Sequence, residues 1–77
     1  MAALPVHEFR RGPIRIRIWR KMNRRTPTHT VSAVRLFRRS GVWNESTRFQ
    51  RDDIPLVQLA LDEAHRWIYQ QTKGFDE

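Results

Sequence analysis

The sequence contains no cysteine, which excludes disulfide bonds, thiolate–zinc sites and cysteine nucleophiles. A chain of 77 residues hides only about 60% of the surface that its unfolded form exposes, so its own core supplies modest stability. Without covalent or metal reinforcement, we expect such a domain to gain stability by self-association. The lack of cysteine also fits a reducing cytoplasm.

Long apolar runs are also missing. No stretch approaches the roughly 20 apolar residues that a membrane-spanning helix needs. The segment 1–6, MAALPV, is too short for a signal peptide and lacks its basic start. The sequence therefore predicts a soluble cytoplasmic protein without a membrane partner.

Acidic residues are scarce in the first half of the chain. Residues 1–39 hold eleven basic residues and one acid, Glu8, whereas residues 40–77 hold four basic residues and seven acids. Arginine outnumbers lysine thirteen to two, and its planar guanidinium suits phosphate contacts and stacking on bases. This footprint favours nucleic acid as a partner. An acidic protein, a lipid surface, or a basic surface that only aids solubility are the alternatives.

Three strands are indicated by alternation and turn residues. Ile14, Ile16 and Ile18 alternate with polar or large residues, which is typical of a β-strand over residues 13–22. Further strands are predicted over residues 29–39 and 42–50, with a turn at Asn23–Thr28 and a tight Ser40-Gly41 hairpin. Residues 1–12 are irregular or form a short extra strand around Val6–Arg10.

The strand over residues 29–39 carries apolar residues on both faces. Val31, Ala33, Arg35 and Phe37 share one face, and Ser32, Val34 and Leu36 share the other. Either both faces are partly apolar or a bulge shifts the phase midway.

A C-terminal helix is predicted over residues 52–71, followed by a tail, 72–77. Asp52 is the expected N-cap, Pro55 suits the first turn, and Lys73-Gly74 suits the end. Apolar residues recur at three- and four-residue spacing along one stripe: Val57, Ala60, Leu61, Ala64, Trp67 and Ile68. The prediction is a single α+β domain over residues 1–77. Its three- to four-stranded antiparallel meander has one long helix packed across one face.

One helix leaves the other face of the sheet uncovered. If the isoleucines face the helix, Arg15, Arg17 and Trp19 lie on the uncovered face, and we expect Arg35, Phe37 and Trp43 alongside them. Cations that neutralise phosphates and rings that stack on bases make such a face a platform for single-stranded DNA or RNA. The competing interpretation places Trp19 and Trp43 in the core, as we expect for Phe49. Basic residues of the turns extend the predicted contact: Lys21, Arg24, Arg25, Arg38 and Arg39.

The helix carries more apolar surface than one small sheet needs. Leu56, Leu59, Trp67 and Tyr69 are therefore predicted to contribute to a homodimer formed through helices or sheet edges.

Signals for catalysis are missing. His7, His29 and His65 lack metal-site spacing, and Asp52-Asp53 suits a helix cap better than a catalytic pair. No glycine-rich phosphate loop or nucleophile elbow is present. We expect neither enzymatic activity, nor a cofactor, a metal or a small-molecule substrate.

Several segments together resemble a family of short, uncharacterised bacterial proteins. They are Ile18-Trp19, Val31–Arg39, Gly41-Val42-Trp43, Phe49–Pro55 and Ala64–Tyr69, and the resemblance covers about residues 8–71. The family brings no function with it. This chain departs from it at Arg20–Arg25, which is basic where acidic and asparagine-rich residues are expected. Nucleic-acid binding would then be a speciality of this member.

In architecture alone, the chain is similar to the Whirly and positive-cofactor-four group, which dimerise through the helix and hold single-stranded DNA on their sheets. It is also similar to plant AP2-type and integrase arm-binding domains, which insert a sheet into the major groove of duplex DNA. Two alternatives therefore stand beside single-strand binding. One is duplex binding through the same arginines, and the other is a protein-interaction module that buries Trp19 and Trp43 against a partner.

Overall fold

A computed structural model describes residues 4–23 and 26–72. Four strands form one antiparallel sheet in the order β1-β2-β3-β4: β1 His7–Arg11, β2 Ile14–Asn23, β3 Thr26–Arg39 and β4 Val42–Ser46. A 3₁₀ turn, Arg51–Asp53, leads into the helix α1, Ile54–Thr72. The predicted α+β meander with a long C-terminal helix is confirmed, and the optional extra strand is present as β1.

The helix packs on the face of the sheet that carries the β2 isoleucines. Ile14, Ile16 and Ile18 are completely buried. They pack against the helix residues Val57, Ala60 and Ala64. Small alanines at the contact let the helix approach the sheet closely, and β-branched isoleucines suit the strand. We call this side of the sheet the helix face and the opposite side the open face.

Two-residue turns set the register of the outer hairpins. Ser40 and Gly41 both have positive φ, 52° and 77°, as a type I′ turn between right-twisted strands requires. Gly12, with φ 58°, joins β1 to β2 next to the helix. Its positive φ favours glycine, and a Cβ there would lie 3.3 Å from Leu56 Cδ1, so another residue would also have to shift the Leu56 side chain slightly.

Strand β3 begins earlier than the sequence indicated. The expected turn at Asn23–Thr28 is shorter, since β3 starts at Thr26 and Pro27 pairs with Met22. The β2–β3 and β3–β4 pairings keep one register throughout. Two explanations were open for the apolar residues of this strand. The constant register shows that apolar residues lie on both of its faces, and the alternative explanation, a bulge, is wrong.

The third predicted strand, 42–50, ends at Ser46. The Ser46 hydroxyl accepts a hydrogen bond from the Arg48 N–H at 3.1 Å, which turns the chain out of the sheet. Phe49 then packs against the core, as predicted.

The helix starts differently from the prediction. The N-cap position is Gln50 rather than Asp52, at the start of the 3₁₀ turn that leads into α1. Asp53 completes a capping box there, because its Oδ2 accepts the Gln50 N–H at 2.9 Å. Pro55 lies in the first turn of α1, as predicted. The expected stop at Lys73-Gly74 and most of the tail lie outside the described residues.

Candidate nucleic-acid interface

The open face is a broad surface that α1 does not cover. Alternation along the strands and the pairing register place fourteen described residues there: Glu8, Arg10, Arg15, Arg17, Trp19, Lys21, Thr28, Thr30, Ser32, Val34, Leu36, Arg38, Trp43 and Glu45. Five of these side chains are basic and two are carboxylates. The expectation that Arg15, Arg17, Trp19 and Trp43 share a face away from the helix is confirmed.

An ion-pair network crosses the open face from β1 to β4. Arg17 donates to Glu45 through both terminal nitrogens, at 2.7 and 3.2 Å, and to Glu8 through Nε at 2.9 Å. Arg15 Nη1 donates to the same Glu45 at 3.0 Å. The hydrogen bonds from Arg17 lower the pKa of Glu45, and those to Glu45 and Glu8 raise the pKa of Arg17. The two arginines are therefore paired, and part of their charge is neutralised within the protein.

Beneath this network lies a small apolar layer. Val34 and Leu36 are only 8% and 7% exposed, although they lie on the face without the helix. Arg15 is directly opposite Val34 in the register, and Glu45 is opposite Leu36. The aliphatic stems of long charged side chains can cover apolar surface while their polar heads stay in water. The side chains of the network therefore lie where their stems can cover Val34 and Leu36 while their charged ends face water.

Trp43 is the most accessible aromatic ring of the open face. Its exposed fraction is 62%, and the Arg38 guanidinium carbon lies 5.8 Å from its ring centroid. Next to the ring is an open cavity of about 200 Å³. Its lining consists of Arg10, Arg15, Leu36, Trp43, Asn44 and Glu45. An aromatic wall, an apolar floor and a cationic rim are the chemical groups that hold a nucleobase and its phosphate.

Trp19 has a different environment. It is half-buried on the open face, opposite Thr30. It therefore offers less ring surface to a ligand than Trp43 does.

Two residues predicted for this surface belong to the other face. Arg35 pairs with Ile14 in the β2–β3 register and so points to the helix face, as does Phe37. Arg35 Nε lies 3.4 Å from Asp53 Oδ2, at the start of α1. The prediction that Arg35 and Phe37 lie beside Arg15 is wrong, because the constant register fixes their side of the sheet.

Phe37 instead forms a separate cationic–aromatic cluster. The guanidinium carbons of Arg35 and Arg39 lie 5.5 and 5.8 Å from its ring centroid. Arg39 therefore also lies away from the open face, although it is exposed at the end of β3.

The β2–β3 hairpin extends past β1 as a two-stranded arm, which we define as residues 19–23 and 26–30. Lys21 is exposed on its open-face side and Arg20 is exposed on the other. Thr28 Oγ1 donates to the Lys21 carbonyl at 3.2 Å. The predicted contacts Arg24 and Arg25 lie outside the described residues.

The four helix residues predicted for dimerisation separate into two groups. Leu56 and Trp67 pack against the core, and Trp67 also stacks on His7 with centroids 4.6 Å apart. Leu59 and Tyr69 are exposed. At 3.6 residues per turn they lie roughly 80° apart around the helix, so they do not form one stripe.

Sequence reasoning missed Arg10, Glu8 and Glu45. Arg10 lies opposite Arg15 and lines the cavity. The sequence signal for Arg10 was the Gly12-Pro13 turn, which folds residues 7–11 back onto β2. Alternation along that strand then puts Arg10 on the same face as Arg15. Glu8 is directly opposite Arg17 in the neighbouring strand, which is the pattern of a cross-strand charge pair. Glu45 lies on β4 and reaches Arg15 and Arg17 across β3.

Among the described residues, no group of histidine and carboxylate side chains could hold a metal ion. The described helix is not long and apolar enough to cross a membrane. No protein-family model, curated protein or solved structure matches this chain. The resemblances drawn from the sequence therefore stay predictions, and the function has to be argued from the site itself.

Proposed function

We propose that this protein binds single-stranded DNA or RNA on its open face with little sequence preference. The observation that carries the proposal is the exposed ring of Trp43, which lies beside Arg38 and next to a cavity rimmed by Arg10. A base that stacks on Trp43 would have its phosphates within reach of these guanidinium groups. Each such stack contributes about 1–3 kcal/mol in known single-strand complexes.

The residues that we propose as the main contacts differ from those that the sequence favoured. Arg15 and Arg17 are held by Glu45 and Glu8, so they contribute less free charge than arginines that have no acidic partner. Arg10 and Arg38 have no carboxylate within ion-pair distance among the described residues. They and Trp43 are the primary contacts in this proposal, with Trp19, Lys21 and the arm at its border.

A single strand fits this arrangement because its bases can splay out of the stack. In a duplex the bases face their partners, and the cavity beside Trp43 would be reached only by phosphates. Contacts to phosphates and ring faces carry no hydrogen-bond readout of the base edge, which is the reason for low sequence preference.

One observation favours duplex DNA as a second candidate. The arm is a projecting two-stranded ribbon with exposed basic residues, Arg20 and Lys21. A ribbon of this width fits the major groove of B-form DNA. In this alternative the arm, rather than Trp43, would carry most of the affinity.

Fluorescence anisotropy with labelled single-stranded and duplex oligonucleotides of one sequence tests the proposal. The titrations are run at several salt concentrations. For single strands, Trp43→Ala should weaken binding about 5- to 150-fold, which corresponds to the loss of one stack. Trp43→Phe should retain most of the affinity. Arg38→Ala should weaken binding and lower the log–log salt slope by about one.

Arg66→Ala is the matched control, because it removes the same charge from an exposed position on α1. It should leave affinity nearly unchanged. A folded Trp43→Ala protein with unaltered single-strand affinity would remove the open face from the proposal. A preference for duplex that is lost in Arg20→Ala/Lys21→Ala would select the second candidate.

A further inference from the structure

The sheet has one long edge that no strand of the described chain covers. Strand β3 spans Thr26–Arg39, but β4 pairs only with Arg35–Arg39. Residues 26–34 are therefore paired with β2 on one side and open on the other, within the part of the chain that the structure describes. Open edges present unpaired N–H and C=O groups to any strand of suitable shape.

The alternation of hydrogen-bonded positions along β3 shows which residues direct their backbone N–H and C=O groups to the open edge. The Leu36 N–H donates to the Pro13 carbonyl at 2.7 Å, so Leu36 is in a hydrogen-bonded position toward β2. Because these positions alternate in antiparallel pairs, the even-numbered residues of β3 bond to β2. His29, Val31 and Ala33 direct their backbone groups to the open edge. Pro27 also belongs to these residues that direct their backbone groups to the open edge. Its lack of an N–H therefore removes no hydrogen bond to β2.

Apart from Pro27 near its start, this edge carries none of the side chains that protect edge strands from pairing. The segment 26–34, TPTHTVSAV, contains no Asp, Glu, Lys or Arg. The opposite edge of the sheet is β1, which is five residues long and includes Glu8, Arg10 and Arg11. Short, charged edge strands discourage pairing, whereas long uncharged ones invite it. The free edge of β3 therefore has the features of a pairing edge.

Apolar surface lies beside the free edge on the helix face. Val31 is 37% exposed and Leu61 is 43% exposed. Glu63 forms an ion pair with Arg11 of β1, and Leu61 is roughly 160° from Glu63 around the helix. Leu61 therefore points toward the β3 side of the sheet, where a strand added to the edge would approach it.

We propose that this edge pairs antiparallel with the same edge of a second copy, about a two-fold axis through Thr30. The free segment runs from Thr26 to Val34, so its midpoint is Thr30. In this register Thr26 is opposite Val34 of the other copy, Thr28 is opposite Ser32, and Thr30 is opposite itself. Strand β4, which pairs with Arg35–Arg39, then lies beyond the segment that pairs with the other copy.

The register pairs the backbone at the centre of the segment. Toward its ends Pro27, which has no N–H, lies opposite Ala33, so that pair forms at most one hydrogen bond. His29 is opposite Val31 of the other copy, and both residues direct their N–H and C=O groups outward. Each such pair exchanges two hydrogen bonds. No like charges meet across the axis, since the segment has none. The free edge is thus complementary to itself in length, phase and charge, which favours a second copy over an unrelated strand.

The resulting dimer has one continuous sheet. An axis perpendicular to the sheet places both helices on one side and both open faces on the other. With strands about 4.8 Å apart, helices that lie over β2 of each copy are roughly 14 Å apart. Val31 and Leu61 of both copies line the space between them. The pairing is independent of nucleic acid, and it would join the two open faces into one basic surface.

Sedimentation equilibrium without nucleic acid tests the proposal. The wild-type chain should sediment with the mass of two 9.3 kDa chains. Thr30→Lys and Thr30→Glu each place like charges directly opposite across the axis, which destabilises the pair. Each should raise the dimer dissociation constant about tenfold, because like charges are brought together at the centre of an interface. Because Thr30 is exposed, both variants should fold, which circular dichroism checks.

Mixing the two variants is the decisive part of the experiment. A Thr30→Lys chain and a Thr30→Glu chain should form a heterodimer with restored affinity, since opposite charges then meet. Leu59→Lys, on the exposed side of α1, is the control and should stay dimeric. A monomeric wild type, or a dimer unaffected by both Thr30 variants, would overturn the proposal. Two monomeric variants that fail to combine would overturn the axis through Thr30.

Discussion

The helix face and the open face are made by the same strands, yet they are sealed by different means. On the helix face, Ile14, Ile16 and Ile18 pack against α1 and lose all solvent contact. On the open face, Val34 and Leu36 are nearly as buried, although no helix or strand of the described residues lies above them. Arginine side chains of β2, held by Glu8 of β1 and Glu45 of β4, lie beside them instead.

The comparison indicates how a small sheet with one helix can use its second face. Long cationic side chains can cover apolar residues with their stems and offer their heads to an anion. The acids that hold the arginines in place also reduce the charge offered. If the open face binds an anion as proposed, stability and anion affinity are in competition there, whereas the isoleucine contacts of the helix face contribute to stability.

The largest expected difference between the faces is in the free energy of unfolding. Ile16→Ala removes buried atoms from a rigid contact with α1 and should cost about 2–5 kcal/mol. Leu36→Ala should cost less, about 1–2 kcal/mol, because flexible side chains and water can fill the space that it leaves. Chemical denaturation at one fixed protein concentration measures both, since dimerisation would make stability depend on concentration.

Val42→Ala is the control for this pair, because Val42 is exposed on β4. It should change the free energy of unfolding by no more than about 0.5 kcal/mol. Equal losses for Ile16→Ala and Leu36→Ala would mean that the open face is a second rigid core, and the comparison would fail.

A smaller effect is expected when the charge of one carboxylate on the open face is removed, and it should differ between nucleic-acid affinity and stability. Glu45→Gln keeps the shape of the side chain but removes the charge that pairs with Arg15 and Arg17. It should raise affinity for single-stranded nucleic acid about threefold and steepen the salt dependence, since more positive charge becomes available. Stability should fall by less than about 1 kcal/mol, as is usual for exposed ion pairs.

Asp62→Asn is the matched control, because Asp62 is an exposed, paired carboxylate on α1. It removes the same charge from a distant surface and should change affinity less than Glu45→Gln does. Equal gains for both variants would indicate a general effect of net charge rather than a contact at the open face.

The sequence was informative wherever one residue pattern had one structural meaning. Strict alternation at Ile14, Ile16 and Ile18 identified β2 and its buried face, and the apolar stripe with Pro55 identified the helix. Strand β3 was different, because apolar residues occur on both of its faces. Its pairing with β2 depends on a turn whose length was overestimated, since Pro27 suggested a break. Pro27 is accommodated because the position where its N–H would be faces the free edge rather than β2.

The candidate site was predictable in part for the same reason. Arg15, Arg17, Trp19 and Trp43 were assigned to the correct face by alternation, whereas the assignment of Arg35 needed the β2–β3 register. The ion pairs of Glu45 link residues that are about thirty positions apart in the chain. Such pairs depend on which strands are neighbours, and no local pattern in the sequence encodes that.

The smallest expected effect is the dependence of the open face on pH. Hydrogen bonds from Arg17 lower the pKa of Glu45 below its ordinary value of 4.5. A carboxylate whose pKa is lower in the folded state contributes stability above its unfolded pKa, and this contribution is lost as the pH falls through the folded pKa. The stability difference between wild type and Glu45→Gln should therefore be constant near neutral pH and shrink below about pH 4.5. Thermal unfolding of both proteins from pH 7 to pH 3 measures this, and a difference that stays constant down to pH 3 would show that Glu45 is not held by Arg17 in solution.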